Sequence, residues 1–435
     1  MRRLVVLGGV SIALVAFAAC AASEDTAGPA PLEEPAPSFP DAEAPEVVVG
    51  SDAPAPTRGP LCSSDGWCET VLPAPDLVVR DIWPLADRAV AIAERYTDGI
   101  KVLEWTRADS TWKYIDDNTQ NEALADLATA IWAPNADEVY YAVSPGTIYR
   151  GTRPSAPGAA WSWSSERLPD NNPTGVNHGD AAQKRLTLGV WGIDGGDVYA
   201  WYSNTIFHRK SEDGGAPAWV PELVADDFDA PDEHLFFTGA AGPRSENVWF
   251  AGARRRGSTP PCDLLVRKTP DGYRRIADGV VPGTAYFDPC TAREDVPLVL
   301  GGGRAWTQNL QSPDGDQLLL LKNPNDLLRI EPDGNGGYSV TIANVPNSSI
   351  ANPNLLGSWG ESADDLWLTG SSFWSANRGI VVRGSQIWGD AGVYEFSSIA
   401  LNGAPSESPP NRIRGTSNTN LWAVGDGYAL HKSTP

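Results

Sequence analysis

Beyond its first seventeen residues the 435-residue chain has no apolar run of the roughly 20 residues that a membrane-crossing helix needs. It is also poor in basic charge: 33 Lys and Arg stand against 55 Asp and Glu, a formal charge of −22. Nucleic acid is therefore not an expected partner, because phosphate binding is driven by Lys and Arg releasing counterions. The local run Arg254-Arg255-Arg256 reads as a solvated loop and does not reverse that balance. Histidine is scarce, at four residues, and there is no Cys-x-x-Cys pair, so nothing supports a zinc site. His178 with Asp180, and Asp232-Glu233-His234, have ligand-like spacing but fall in polar insertions. The acidic run from Asp226 to Glu233 and the turns at Asp314 to Asp316 and Asp333 to Asn335 offer oxygen atoms for Ca²⁺. None has the twelve-residue calcium-loop pattern, so no cofactor is expected, with Ca²⁺ the one cation kept open.

The start of the chain is distinctive. Met1-Arg2-Arg3 leads through an apolar stretch, Leu4 to Phe17, to Ala18-Ala19 and then Cys20, the charged, apolar, small-residue order of an export signal. The small pair directly before a cysteine resembles the lipobox of bacterial lipoproteins, although Phe17 stands where that family usually has Leu. The resemblance implies cleavage after residue 19 and acylation of Cys20, with the bilayer as the first partner. Each buried methylene contributes about 0.8 kcal/mol, so acyl chains on one residue would hold a soluble domain without a spanning segment. Residues 20–60 are dominated by Ala, Pro, Glu, Asp and Ser, bury almost nothing apolar and read as a disordered spacer. The implied location is the cell envelope: an outer-membrane lipoprotein facing the periplasm or the cell surface.

Four cysteines remain: Cys62, Cys68, Cys262 and Cys290. An even number in an exported chain points to disulfides. Of three connectivities, the local one, Cys62 with Cys68 and Cys262 with Cys290, is preferred.

Residues 61–435 repeat. Ile131-Trp132-Ala133 followed by Asp137-Glu138-Val139-Tyr140 matches Val190-Trp191-Gly192 with Asp197-Val198-Tyr199, and Ser358-Trp359-Gly360 with Asp365-Leu366-Trp367. Arg414-Gly415 with Asn420-Leu421-Trp422, and Gly242 with Asn247-Val248-Trp249, belong to the same series. Weaker copies lie at Ile82-Trp83 with Ala89-Val90 and at Leu300-Gly301 with Ala305-Trp306. Seven marks, Val90, Val139, Val198, Val248, Ala305, Leu366 and Leu421, recur about every 55 residues. A third strand follows each, as at Thr147 to Arg150, and a fourth opens on an aromatic, as at Trp112, Tyr273 and Tyr338. Four short strands per unit, seven times, predict a single all-β, seven-bladed propeller. The last unit lacks its fourth strand, whereas residues 66 to 71 form a spare one that opens on Trp67. The spare strand is expected to complete the last blade and close the ring, which removes the open edges of the sheet.

The turns at Ser211 to Gly215 before Trp219, at Thr269 to Tyr273 and at Asp109 to Trp112 resemble degenerate Asp-boxes of sialidase-type propellers. With the Trp-Gly…Asp-Leu-Trp units they make residues 61–435 similar to uncharacterised propeller lipoproteins of Gram-negative bacteria. That resemblance implies a monomeric binding scaffold for a protein or glycan of the envelope or its surroundings. A carbohydrate-active hydrolase is the alternative. Its sialidase-like form would need three arginines, a Tyr nucleophile and an Asp acid. Arg80, Arg185, Arg304, Arg412 and Arg414 sit near strand starts but outside that family's arginine motif, and are expected in ion pairs. No catalytic residue is assigned.

Overall fold

The computed structural model describes residues 61–434, apart from 123–126, 157, 173–180, 212–213, 258, 283–287, 301–307, 314, 323, 348–352, 373–377, 390, 399, 402–403 and 406. Cys20, the leader and the spacer lie outside the described residues.

Seven four-stranded antiparallel sheets follow one another along the chain. Their first strands are Val78–Pro84, Leu127–Asn135, Leu188–Asp194, Glu233–Arg244, Gln308–Gln311, Pro353–Ser362 and Arg412–Ser417, which number the blades 1 to 7. Each of these strands touches the first strand of the next blade, and that of blade 7 touches that of blade 1, so the ring is unbroken. In the last sheet Trp67–Thr70 pairs antiparallel with Tyr428–Lys432, Trp67 opposite Lys432 and Thr70 opposite Ala429. The N-terminal strand thus closes the ring, as the strand count predicts. Both local disulfides, Cys62–Cys68 and Cys262–Cys290, are formed.

The repeat has a physical cause in the second and third strands. In blades 2, 3, 4, 6 and 7 an aromatic of the second strand lies directly opposite a basic residue of the third: Tyr140–Arg150, Tyr199–His208, Trp249–Arg267, Trp367–Arg383 and Trp422–His431. The polar residue two places before each aromatic engages that basic group, as in Asp365 with Arg383 at 3.1 Å and Asn247 with Arg267 at 2.8 Å. A basic side chain opposite a ring, held by a carboxylate or amide, is a cross-strand unit that stabilises each of these sheets; in blades 4 and 6 the guanidinium lies over the indole, and in blades 3 and 7 an imidazole stacks on the ring. The Trp-Gly pairs have a steric origin. A methyl group on Gly192 would lie 2.7 Å from the indole of Trp132, and one on Gly415 would lie 3.0 Å from that of Trp359. Each Trp therefore fills a notch in the next blade.

Blade 5 departs from the expected marks. Ala305 and Trp306 lie outside the described residues, and the blade's second strand is Leu318–Lys322. The backbone of Leu298 and Leu300 bonds instead to Ile276, Asp278 and Asp263 of blade 4 and its flank, where Cys290 is tied to Cys262. Leu300 therefore belongs with blade 4. Leu319 stands opposite the basic Arg329 and two places after Gln317, so blade 5 keeps the polar and basic members of the unit but has Leu where the other copies have an aromatic.

The arginine run is likewise not a solvated loop. Arg254 is fully buried in the second strand of blade 4, bonded to Asp278 at 2.6 Å, to Asp227 at 2.7 Å and to Glu233 at 3.4 Å. Among the Asp-box-like turns, Gly272 has a φ of +107°, as such a turn requires. The Asp109 carboxylate pairs with Lys113.

Candidate functional site

The seven first strands enclose an axial cavity of about 470 Å³ to which every blade contributes. Most of the lining residues are apolar or aromatic, so the few polar side chains stand out.

A bulge between Val79 and Asp81 sets the Asp81 side chain towards the axis. This carboxylate is fully buried and is gripped from two sides. Arg414 donates from Nε at 3.0 Å and from Nη2 at 3.4 Å, and the backbone N–H of Ile131 donates at 3.1 Å. Arg412 Nε lies 3.4 Å from the same carboxylate. Arg412 also donates through Nη1 to the side-chain oxygen of Asn309, whose Nδ2 is held by the carbonyl of Leu356 at 2.7 Å. Asn309 carries a φ of +54°, a left-handed backbone that Asn tolerates better than most residues. Burial in the channel pulls Arg412 below the ordinary guanidinium value; Asp81 opposes that pull and Arg414 adds to it.

At the far ends of the first strands the lining turns aromatic. Trp83, Trp132, Trp191 and Trp359 occupy equivalent positions on blades 1, 2, 3 and 6, and Arg414 takes that position on blade 7, 4.9 Å above the ring of Trp83. Blades 4 and 5 place Ala241 and Gln311 there, so the aromatic rim is open on that side. Gln311 is held in place, donating to Ser358 Oγ at 3.1 Å and accepting from the N–H of Gly360 at 3.0 Å.

At the ends where the first strands begin, a short helix, Ala181–Leu186, lies against those of blades 2, 3 and 4. Its Arg185 reaches Glu94 of blade 1 at 2.9 Å, and Arg80 reaches the same carboxylate at 2.8 Å. The sequence-predicted arginines are thus brought together in two pairs, Arg80 with Arg185 on Glu94 and Arg412 with Arg414 on Asp81. Arg304 lies outside the described residues. The ion-pair expectation holds, but the partners Asp81 and Glu94 carried no sequence signal, because a blade 1 carboxylate meets a blade 7 arginine 333 residues away. No tyrosine is among the described residues that line the cavity.

Other singled-out groups lie elsewhere. His178, Asp180 and Asp314 are outside the described residues. Asp232 pairs with Arg256, Asp227 with Arg275 and Asp229 with Arg293, so the acidic run faces arginines. His208 is held between Asp197 and Glu222, at 2.8 and 2.9 Å. Burial works against its charged form, but those two hydrogen bonds outweigh it and its pKa is raised.

Fold, ring closure and axial cavity together define a propeller scaffold. The chain is similar to YCF48 from Cyanidioschyzon merolae, at 13% identity over 84% of this chain and 98% of that one, with a TM-score of 0.49. It is similar to the WD40 β-propeller domain of Doa1, at 11% identity over 84% and 96%, with a TM-score of 0.47. It also resembles the extracellular domain of BT4673 from B. thetaiotaomicron, at 10% identity over 85% of this chain but only 40% of that one, with a TM-score of 0.50. At such identities the likeness concerns the fold alone. No protein-family model matches the chain, and no curated protein matches it in sequence.

Proposed function

We propose that the chain is an exported lipoprotein, held at a bilayer through Cys20 and a spacer over residues 20–60, whose propeller binds a glycan in its axial cavity. The observation that carries the binding part is the aromatic rim. Trp83, Trp191 and Trp359 are only half-buried and surround a cavity of about 470 Å³, within the range of small-ligand sites. Indole faces match the apolar faces of sugar rings, and fixed polar groups such as Gln311 and Asn309 match hydroxyls. The hydrolase alternative is favoured by no observation: its sialidase-like form needs a Tyr nucleophile, and no tyrosine is among the described residues that line the cavity.

The test uses the full chain carrying Cys20→Ser. Anchoring predicts that it moves from the membrane to the soluble fraction, and persistence in the membrane overturns that part. Binding predicts that the released protein retains glycans from an envelope extract or an array, and that Trp191→Ala and Trp359→Ala reduce retention at least tenfold. Equal retention by the variants overturns the channel as the site.

A further inference from the structure

We infer that the axial cavity is built for an anionic sugar, one bearing a carboxylate of the uronic acid class. The inference rests on the glycan reading above and deepens it. It comes from the charge of the lining. Among the described residues, Asp81, Arg412 and Arg414 are the only charged side chains that line the cavity, which leaves one positive charge in excess. This is the reverse of the whole chain, whose formal charge is −22.

The excess is placed to be used. Asp81 already accepts two hydrogen bonds from Arg414 and one from the N–H of Ile131, and its single negative charge is shared between two guanidiniums. Arg412 Nε, although 3.4 Å from Asp81, makes no hydrogen bond among the described residues, and its Nη1 is committed to a neutral amide, Asn309. Neither Arg412 Nη2 nor Arg414 Nη1 has a hydrogen-bond acceptor among the described residues. A guanidinium has five N–H donors in a planar fork that matches a carboxylate. A cation that is partly desolvated and incompletely countered is costly to keep, and a bound carboxylate relieves that cost.

The surface acids do not cancel this attraction. They are spread over the exterior and screened beyond about 8–10 Å at physiological ionic strength, whereas Arg412 would touch the ligand inside a low-dielectric channel. The arginine pair adjoins the aromatic rim, since Arg414 itself lies over Trp83. A ring stacked on the rim therefore has a cation within reach of its substituent, which is the layout of a uronic acid.

The experiment compares glucuronate, its neutral isostere glucuronamide, glucose and acetate by tryptophan fluorescence and calorimetry on the full chain carrying Cys20→Ser. Glucuronate is expected to bind at least tenfold more tightly than glucuronamide or glucose. Arg412→Gln, which brings the cavity to zero net charge, is expected to bring glucuronate and glucuronamide to equal affinity. The ligand-side comparison needs no variant, so the inference stays testable if Arg412→Gln fails to fold. Equal binding of glucuronate and glucuronamide overturns the anionic inference and leaves the glycan reading standing. Binding of acetate with no sugar bound overturns the glycan reading and keeps the cationic cavity. No binding of any probe overturns both.

Discussion

The imidazole of His431 lies flat against the indole of Trp422, with ring centroids 4.2 Å apart and planes 14° from parallel. Asn420 holds both, accepting from Trp422 Nε1 at 3.2 Å and lying 3.0 Å from His431 Nε2. The same unit in blade 3 uses Asp197 and His208 stacked on Tyr199. The two histidines occupy one position in the repeat but shift in opposite directions: Asp197 and Glu222 raise the pKa of His208 against burial, whereas burial, with no carboxylate to oppose it, lowers that of His431.

This difference sets a pH dependence. Burial lowers the pKa of His431 from 6.5 to about 4, with the Arg107 charge adding to the shift. Its neutral form is thus favoured in the folded protein, and stability is lost as pH falls from the unfolded value of 6.5 towards about 4, because the unfolded chain takes up the proton first. The loss at pH 5 is on the order of 2 kcal/mol. His431→Gln keeps a donor for Asn420 and removes the titration. It should be less stable than the parent by about 1 kcal/mol at pH 7.5, through the lost stack, with the deficit closed or reversed at pH 5. Urea midpoints at the two pH values check this, and a constant deficit overturns it.

Much of this architecture was legible because the cross-strand unit writes itself into the sequence as a polar residue, an aliphatic and an aromatic, followed by a basic residue on the next strand. Blade 5 was not legible, because Leu319 replaces the aromatic between Gln317 and Arg329, and Leu300, which resembles a blade 5 mark, bonds to blade 4 instead. The channel was legible only in halves. Arg412 and Arg414 stood out near a strand start, but Asp81 and Asn309 meet them only after the ring closes, and nothing local marks such a pairing. The burial of Arg254 has a related origin: a run of three arginines has the pattern of a solvated loop, and the carboxylates of Asp227, Glu233 and Asp278 that bury one of them come from other segments.

The Trp-Gly notch predicts a steric penalty. In Gly192→Ala the new methyl would lie 2.7 Å from the Trp132 ring and 2.8 Å from the carbonyl oxygen of Asp197, and the backbone oxygen cannot swing aside as a flexible side chain would. A cost of about 1–3 kcal/mol is expected from such overpacking. Gly389→Ala, with nothing within 4 Å of the added carbon, is the control and should stay within about 0.5 kcal/mol of the parent. Thermal unfolding of the two variants separates them, and equal midpoints would remove the notch as the reason for glycine.

The buried arginine predicts a larger effect. Asp278 and Glu233 are both fully buried beside Arg254. Burial raises the pKa of Glu233 even with the arginine present, although Arg254 and the N–H of Asp229 hold it back. Arg254→Met would leave the Glu233 carboxylate without its countercharge, whereas Asp278 keeps Arg275 at 2.9 Å, and should cost about 3–5 kcal/mol. Adding Glu233→Gln should recover part of the loss, because the stranded charge is removed. Chemical denaturation of the single and double variants measures the coupling, and simple additivity of the two changes would show that the network is not cooperative.

Ring closure predicts behaviour that depends on the first strand alone. Trp67 is 1% exposed and meets Trp367 edge to face at 6.0 Å, while Thr70 donates to the carbonyl of Ala429 and accepts from Trp112 Nε1, both at 2.8 Å. The closing strand therefore binds its own blade and the blades on either side of it. A chain that begins at residue 72 would leave Tyr428–Lys432 as an open edge, a template for pairing with other chains. It should lose cooperative unfolding and associate on size-exclusion chromatography. A synthetic peptide of residues 61–71 with the Cys62–Cys68 bridge formed should restore both properties by occupying the vacant edge, and its Trp67→Ala version should do so far less well, since truncating a buried Trp costs about 3–5 kcal/mol. If the truncated chain unfolds as the full one does, the seventh blade holds without its N-terminal strand and the closure is not what stabilises the ring.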